Sequence, residues 1–593
     1  MFMFILVSVN SISQTCEWAV SIHGGRQDII SNIVFDKDDN FYACGQSSSP
    51  KVYFDNLSAD SIGPFSIFLA KYNKDGEAIW LRTISGEDAE IGAFLAIDST
   101  GNIILSGSYE SDILRFNDDI ILSNDEVKGI GYDAFIAKYT PDGDCLWVKR
   151  IWGNQHDYIS NTQTDKSGNI YVGGHSTSEV IFFDHNTSFK KTAADLAYLA
   201  KYNSDGQLSW WKVFTGAGYS GDNLKSITIS ENGFLYITGD FQLDAINFGN
   251  EVILRNIYQD FQTDVFVVKY DLNGNCYWAR KIAGTGNDAA QSIIVDKNEN
   301  VFVAGNFYSD TLVFSNSVSI RKNIKGNSFC EIFYAKYSSN GDLVFAEKIY
   351  GRHSQMGGSE NNITRLQLYK NNDILFSGYT TSSKVIFNNQ IDISTSPIYK
   401  AYFGIMNNNG KVQWVQKLGG NQKDWANGVF IDSQNNYFVT GWFNSDTLYF
   451  NNGISISNKS FLPSFMDSYI AKFNTSHYNN YYGIGDFDKI YKDTSCENET
   501  YAKIGFVKKS TREYLPFFTN ILAYPNPVTS ALNLTDITMY RDDYEYLIVD
   551  LNGNILMSGK FKNSINVDLL PSGSYTIIIF GDNFLEKLKF IKN

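Results

Sequence analysis

Asp165-Lys-Ser-Gly-Asn-Ile-Tyr-Val-Gly-Gly174 and Asp432-Ser-Gln-Asn-Asn-Tyr-Phe-Val-Thr-Gly441 follow one plan: an acid-led polar turn, an Asn, then an apolar strand closed by glycine. The closing glycine recurs as Gly45, Gly107, Gly174, Gly239, Gly305, Gly378 and Gly441, at intervals of 62 to 73 residues. Two further markers keep the same period. One is a Phe before a polar pair, at Phe54, Phe116, Phe183, Phe248, Phe314, Phe387 and Phe450. The other is a Phe-Ile-Ala-Lys-Tyr run, with its lysine at Lys71, Lys138, Lys201, Lys269, Lys336 and Lys472, and Ile405 in the sixth repeat. Four residues after each of the first six comes Asp-Gly or Asn-Gly, from Asp75-Gly76 to Asn409-Gly410. Such a pair suits a tight hairpin with φ > 0 at both turn positions. The strand after it begins near Trp80, Trp147, Trp211, Trp278, Phe345 or Trp414.

Each repeat thus holds about four principal strands and a smaller excursion around the Phe. Four strands per unit is the arithmetic of a propeller, and seven lies within the usual 4–8 blades. The seventh repeat stops at Ala471-Lys-Phe-Asn474 without a following Trp strand, while an unpartnered one, Trp18-Ala-Val-Ser-Ile22, sits at the start. The spacing predicts an all-β, seven-bladed β-propeller over 15–475, closed by that N-terminal strand, with no open sheet edge. The steps D-x-x-G-N-x-Y-V-x-G and A-K-Y…D-G…W resemble the SBBP β-propeller repeats of secreted bacterial proteins. That resemblance bears on the fold and says nothing of activity.

The C-terminal stretch has a different rhythm. Tyr524-Pro525-Asn526-Pro527-Val528 opens it, Asp550-Leu-Asn-Gly553 makes a turn, Leu570-Pro-Ser-Gly573-Ser-Tyr575 leads into Thr576–Phe580, and the end is basic. Short strands between turn residues predict a small Ig-like β-sandwich. Taken in order, these motifs resemble the type A C-terminal sorting domain of the type IX secretion system of Bacteroidetes, over 521–593. The resemblance implies a sorting signal in Pro525, Asn526, Pro527, Asp550, Gly553, Gly573 and Tyr575, read by the secretion machinery, and delivery to the cell surface or medium. Residues 476–520 break the period and are expected to be a linker. Residues 1–14 begin with an apolar run, Met1–Val9, too short to span a bilayer. The run fits a secretory signal peptide cleaved after Gln14, although no Lys or Arg precedes it; an apolar first strand is the alternative.

The chain has 593 residues and a net charge of −15, with 43% apolar and 15% aromatic residues. Those aromatics and apolar residues exclude disorder. An acidic chain without a basic run is a poor partner for nucleic acid. No further segment reads as a transmembrane helix. The six histidines show no zinc spacing, and no phosphate-binding glycine loop is present. Asp36-Lys-Asp38-Asp39-Asn40 carries carboxylates at a calcium-like spacing, but Phe41 stands where a calcium loop has Gly. A hairpin turn is expected there, with calcium kept open. Gly45-Gln-Ser47 and Gly174-His175-Ser176 lack the final Gly of a nucleophile elbow. None of the six cysteines forms a C-x-x-C pair, and no disulfide is assigned.

A feature present in nearly every blade serves the blade, so the repeated Lys and Trp read as structural. Asp133, Asp264, Glu331 and Asp467, just before the Lys strand, read the same way. Function is sought in departures from the repeat. Blade six departs through Ile405, His353, Met356-Gly-Gly358 and Asn361-Asn362, and blade seven through Trp425 and Trp442, which suit either a stacked sugar or the core. The expectation is a secreted or cell-surface scaffold that binds a glycan or protein, without evident catalysis. The alternatives are a carbohydrate-active hydrolase or lyase with acids in the channel, and a structural surface component.

Overall fold

The computed structural model describes residues 13–476, apart from 124–130, 192–194, 215–222, 243–244, 257–261, 324–329, 353–360, 388–390, 395–398, 452 and 461–464. Beyond them it describes 523–524, 531–534, 545–549, 555–560, 564–581 and 584–592. Two compact units divide the chain: Ile12–His477, and a second that holds Tyr478–Asn593.

The first unit is a seven-bladed β-propeller. Blade 1 is typical: Asp28–Phe35 is the inner strand, followed outwards by Phe41–Ser47, Ser66–Tyr72 and Ala78–Ile84, all antiparallel. Blade 7 runs Asp424–Ile431, Tyr437–Phe443, Asp467–Ser476 and then Ser13–His23. The N-terminal strand is therefore the outermost strand of the last blade, with Trp18 paired to Lys472 and Val20 to Ile470. The ring closes as the repeat count predicted.

Each sequence marker has a physical cause. The closing glycine faces a β-bulge in its blade's inner strand, seen between Ala426 and Gly428. The bulge brings the preceding carbonyl over the glycine: a Cβ on Gly441 would lie 1.9 Å from the Trp425 oxygen. The Phe marker anchors a hairpin between the second and third strands. Phe54, Phe116 and Phe248 rest on Phe68, Phe135 and Phe266 of the third strands, with ring centroids 5.0, 5.2 and 5.2 Å apart. The hairpins also reach back to the previous blade's outer strand. Phe54 pairs with Ile22, Phe182 with Trp152, and Phe387 with Ile349. They form a girdle that ties neighbouring blades together.

The lysines tie each blade to the next. Lys71 Nζ donates to the Pro141 carbonyl at 3.2 Å, Lys138 to Ser204 at 3.1 Å, Lys201 to Leu272 at 3.1 Å and Lys472 to Lys74 at 3.3 Å. Every acceptor directly precedes the Asp-Gly or Asn-Gly of the next blade. Trp80, Trp210 and Trp278 donate their indole N–H to the same carbonyls as their lysines. The partner of Lys201 is thus Trp210, not Trp211 as the spacing suggested. The turns are also longer than the two-residue hairpin expected. Only the glycine has positive φ, 88° at Gly76 and 86° at Gly143, and the strand register slips after each lysine. This is a type I turn closed by a glycine bulge. The glycine lies on the previous blade's tryptophan, so a Cβ at Gly76 would meet the Trp18 ring at 3.0 Å.

Blade six loses its lysine for the same reason. Blade 7 takes its outer strand from the N-terminus, so it has no turn between third and outer strands. A lysine at position 405 would find no carbonyl, and Ile405 packs in the core instead. The indole N–H of Trp414 is likewise buried without a partner. Ile405 is a consequence of ring closure, which corrects its reading as a pointer to a site. His353 and Met356–Gly358 lie outside the described residues.

The Ser residues after the closing glycines serve buried acids. Asp28, Glu90, Asp157, Asp288 and Asp424 open their inner strands and are fully buried. Hydroxyls of Ser49, Ser178, Ser309 and Ser445 donate to Asp28, Asp157, Asp288 and Asp424 at 2.6–3.1 Å. Ser47 and Ser111 do the same for Asp28 and Glu90. The backbone N–H of Gly86 and Gly420 reaches Glu90 and Asp424 at 3.1 and 2.9 Å. Asp133 and Asp264 accept N–H groups of Gly153 and Gly284. Asp467 accepts the Ser460 hydroxyl. The acidic turn Asp36–Asn40 is a hairpin turn: Asp36 Oδ1 accepts the N–H of Asp38 and Asn40 at 2.9 and 3.0 Å. Asp39 crosses to blade 7 and accepts the Ser433 hydroxyl at 2.7 Å.

The second unit has a three-stranded and a four-stranded antiparallel sheet. The first orders Ala523–Tyr524, Ala531–Leu534 and Ser564–Asn566, and the second Ile555–Lys560, Glu545–Val549, Gly573–Gly581 and Phe584–Lys592. Ile548, Ile565, Val567 and Ile577 are buried. Among the described residues no helix is long and apolar enough to cross a membrane.

Candidate functional site: the channel mouth

The seven inner strands enclose a central channel of about 1130 Å³, lined from Ser31 in blade 1 round to Asn427 in blade 7. Two positions per blade define one rim. The second is the residue after the closing glycine, and the first is the inner-strand residue that the register pairs with it. Round the ring they read Ile29/Gln46, Ile91/Ser108, Tyr158/His175, Asn223/Asp240, Ala289/Asn306, Asn362/Tyr379 and Trp425/Trp442. A repeat would make these alike. They differ most in blades 3, 4, 6 and 7.

Trp425 and Trp442, singled out from sequence, are brought face to face, with centroids 3.4 Å apart and planes at 27°. Tyr399 stacks on Trp425 at 4.7 Å, and Tyr379 meets it edge-on at 5.9 Å. Trp425 is 9% exposed, while Trp442, stacked on it, is half-buried. The burial of Trp425 agrees with the core alternative for that residue. Blade 3 carries a second aromatic group at the equivalent positions. Tyr158 stacks on His156 and His175 at 5.6 and 4.8 Å, and Tyr132 lies against both Tyr158 and His156.

A backbone device holds these residues. Four described blades have Phe at the first aromatic of the third strand, but blades 3, 6 and 7 have Tyr198, Tyr402 and Tyr469. Their hydroxyls donate to the carbonyls of Tyr158, Asn362 and Trp425, the rim residues, at 2.9, 2.8 and 2.9 Å. The blades with an extra hydroxyl are those with aromatic rim pairs. This Phe-to-Tyr change was visible in the sequence but has no meaning until the bulge places the carbonyl beneath it.

Polar groups lie beside the aromatics in blades 3 and 4. Burial pushes the His175 imidazole down to about 4, with Lys225 adding to the effect, so the ring is neutral at ordinary pH. Its Nδ1 is buried without a partner. Burial pushes Asp240 up to about 6 against the opposing pull of Lys225. One Asp240 oxygen accepts the Asn223 amide at 3.2 Å and the other is unpartnered. His175, Lys225 and Asp240 were not singled out from sequence, because each sits at an ordinary repeat position. Among the described residues no group of three His, Cys, Asp or Glu side chains forms a metal cluster.

Of the expected sorting residues, Pro525, Asn526, Pro527, Asp550 and Gly553 lie outside the described residues. Gly573 opens the strand Gly573–Gly581, and Tyr575 is buried, its hydroxyl donating to the Pro571 carbonyl at 2.7 Å.

The fold and rim define a β-propeller joined to a sorting domain. Residues 522–593 match the family described as the secretion system C-terminal sorting domain. The chain therefore carries a type IX secretion sorting domain, which points to secretion and the cell surface. Over 494 residues it is 23% identical to an uncharacterised WD repeat-containing protein of Acanthamoeba polyphaga mimivirus, covering 70% of this chain and 34% of that one. Over 177 residues it is 26% identical to the regulatory protein FlaEY of Caulobacter vibrioides, covering 30% of this chain and 18% of the other. The chain spans about a third or less of these curated relatives. A solved polysaccharide lyase, Uly1, superposes with a TM-score of 0.38 at 10% identity, covering 78% of this chain and all of that one.

Proposed function

We propose that this is a secreted, cell-surface β-propeller that binds a glycan at its channel mouth. The observation that carries it is the Trp425–Trp442 stack, in which Trp425 is buried and Trp442 only half-buried. Pyranose rings present apolar C–H faces that aromatic planes accept, while neighbouring polar groups take the hydroxyls. The rim supplies such neighbours in Asn362, Asn306 and Asn223.

In this reading the repeats are of the SBBP type, the host is a bacterium of the Bacteroidetes, and residues 1–14 are a Sec signal peptide. Cleavage after Gln14 leaves Thr15–Ile22 paired in the ring-closing strand. Residues 476–520 then act as a linker, and Pro525, Asn526, Pro527, Asp550, Gly553, Gly573 and Tyr575 carry the sorting signal to the type IX machinery.

A second reading rests on one cluster. Neutral His175, with Lys225 and protonatable Asp240 beside it, supplies the base and acid types that a glycan hydrolase or lyase needs. One experiment separates the two. The purified full chain is titrated with a panel of soluble polysaccharides, and the same samples are assayed for released reducing ends and new unsaturated products. Binding that Trp442→Ala weakens, without product, is the expected result. Product formation lost in Asp240→Asn transfers the protein to the second reading. Absence of binding across the panel overturns the proposal.

A further inference from the structure

Arg365 stands at the fifth residue of the blade 6 inner strand. The register puts Asn32, Phe94, Asn161, Ser226, Ser292 and Gly428 at that place in the other blades. Its side chain is half-buried in the channel wall, with the guanidinium carbon 4.3 Å from the Phe430 ring centroid. Among the described residues no carboxylate pairs with it and no acceptor bonds it. Its depth alone lowers its pKa, to about 10, with no carboxylate opposing the fall.

The polar groups around it are used differently. Thr364 donates its hydroxyl to the Ala426 carbonyl at 2.8 Å, Asn427 donates to Ile30 at 3.2 Å, and Ser292 accepts the Leu366 N–H at 3.0 Å. These bonds join one blade to the next, and Arg365 takes no part in them. Lys225 and Lys297 also line the channel, and Lys225 lies beside Asp240. A desolvated charge without a counter-charge is costly. The chain has 64 acidic residues against 49 basic ones, yet among the described residues none pairs with Arg365. A planar guanidinium offers a two-pronged fork that matches a carboxylate.

We infer that the channel takes an acidic glycan, with Arg365 pairing to a sugar carboxylate. This rests on the glycan reading and adds the charge of the ligand to it. The rim aromatics stack the sugar rings, and Arg365, deeper in the wall, selects those that carry a carboxylate.

The test uses the full chain with polygalacturonate and with alginate, each beside its carboxyl-reduced polymer, and with the sulfated galactan carrageenan. At least one uronate polymer should bind about tenfold or more tighter than its reduced form, a gap that added salt narrows. Arg365→Gln should close that gap, Arg365→Lys should keep part of it, and Trp442→Ala should weaken acidic and reduced polymers alike. Thermal melting of Arg365→Gln without ligand should be unchanged or higher, since the variant removes an unanswered charge; a lower melting temperature assigns Arg365 a structural role and overturns the inference. Equal binding of the acidic and reduced polymers, or a gap that survives Arg365→Gln, also overturns it and leaves the glycan reading standing. Preference for carrageenan over both uronates overturns the carboxylate assignment. Absence of binding to every polymer, here and across the wider panel, defeats the glycan reading itself.

Discussion

At the scale of single residues, the ring repeats its structural bonds faithfully and varies its rim. Tyr469 illustrates both. Its ring packs under Phe450 as Phe68 packs under Phe54, but its hydroxyl holds the Trp425 carbonyl at 2.9 Å. Tyr469→Phe should cost about 1 kcal/mol in urea unfolding, the net worth of one such bond. It should also weaken glycan binding, whereas Tyr72→Phe, far from the rim residues in its strand, should leave binding unchanged. Ile405 gives the opposite test. Ile405→Lys puts an ammonium where the next blade has no turn carbonyl, so unfolding should be easier by about 2 kcal/mol or more. A neutral result would mean that the missing turn does not explain the missing lysine. The sequence showed the departure at 405 but not its cause, since the cause lies in blade 7's outer strand, several hundred residues away in the chain. Trp425 and Trp442 were legible as departures. Asp240 and Lys225 were not, because they sit at ordinary repeat positions, and Arg365 was not, because a bulged inner strand breaks the alternation by which a reader assigns side chains to faces.

At the scale of elements, the period of glycine, Phe and Lys-Tyr markers was enough to count blades and to see that the strand around Trp18 completes the last one. Turn chemistry was read less well. Asp-Gly suggested a two-residue hairpin, but the lysine bulge and the tryptophan beneath the glycine favour a longer turn with one residue at positive φ. The hairpin girdle was legible only as an excursion, because its partner strands belong to the preceding blade. Removal of 13–23 should expose the edge of Asp467–Ser476, a strand otherwise paired along its length with the N-terminal strand. Size-exclusion chromatography of the truncated chain should show aggregation or loss of the monomer peak. A truncated chain that elutes and melts like the full one would contradict closure by this strand.

At the scale of the whole molecule, the buried acids at the blade junctions set the pH response. Burial pushes Asp28 and Asp288 up to about 7 and Glu90 up to about 8, against the bonds from their serines. Asp133 is pushed up to about 7 in the same way. A carboxyl raised on folding holds its proton in the native state after the unfolded chain has lost it. Stability is then highest near or below the unfolded value of about 4 and falls as pH rises through the folded values, about 7 to 8. The melting temperature should therefore decline from pH 5 to pH 8, and Asp288→Asn, as at natural Asn361, should flatten part of that slope. A melting temperature that rises over this range would contradict the assignment.

The central claim is that the ligand sits on the rim made by the inner strands and the residues after the closing glycines. Hydrogen–deuterium exchange of the full chain, with and without the polysaccharide it binds best, tests this most directly. Protection should concentrate in peptides covering 157–176, 223–240, 361–379 and 424–443. Protection confined to the outer hairpins, such as 51–60 and 113–123, with the rim unchanged, would contradict it.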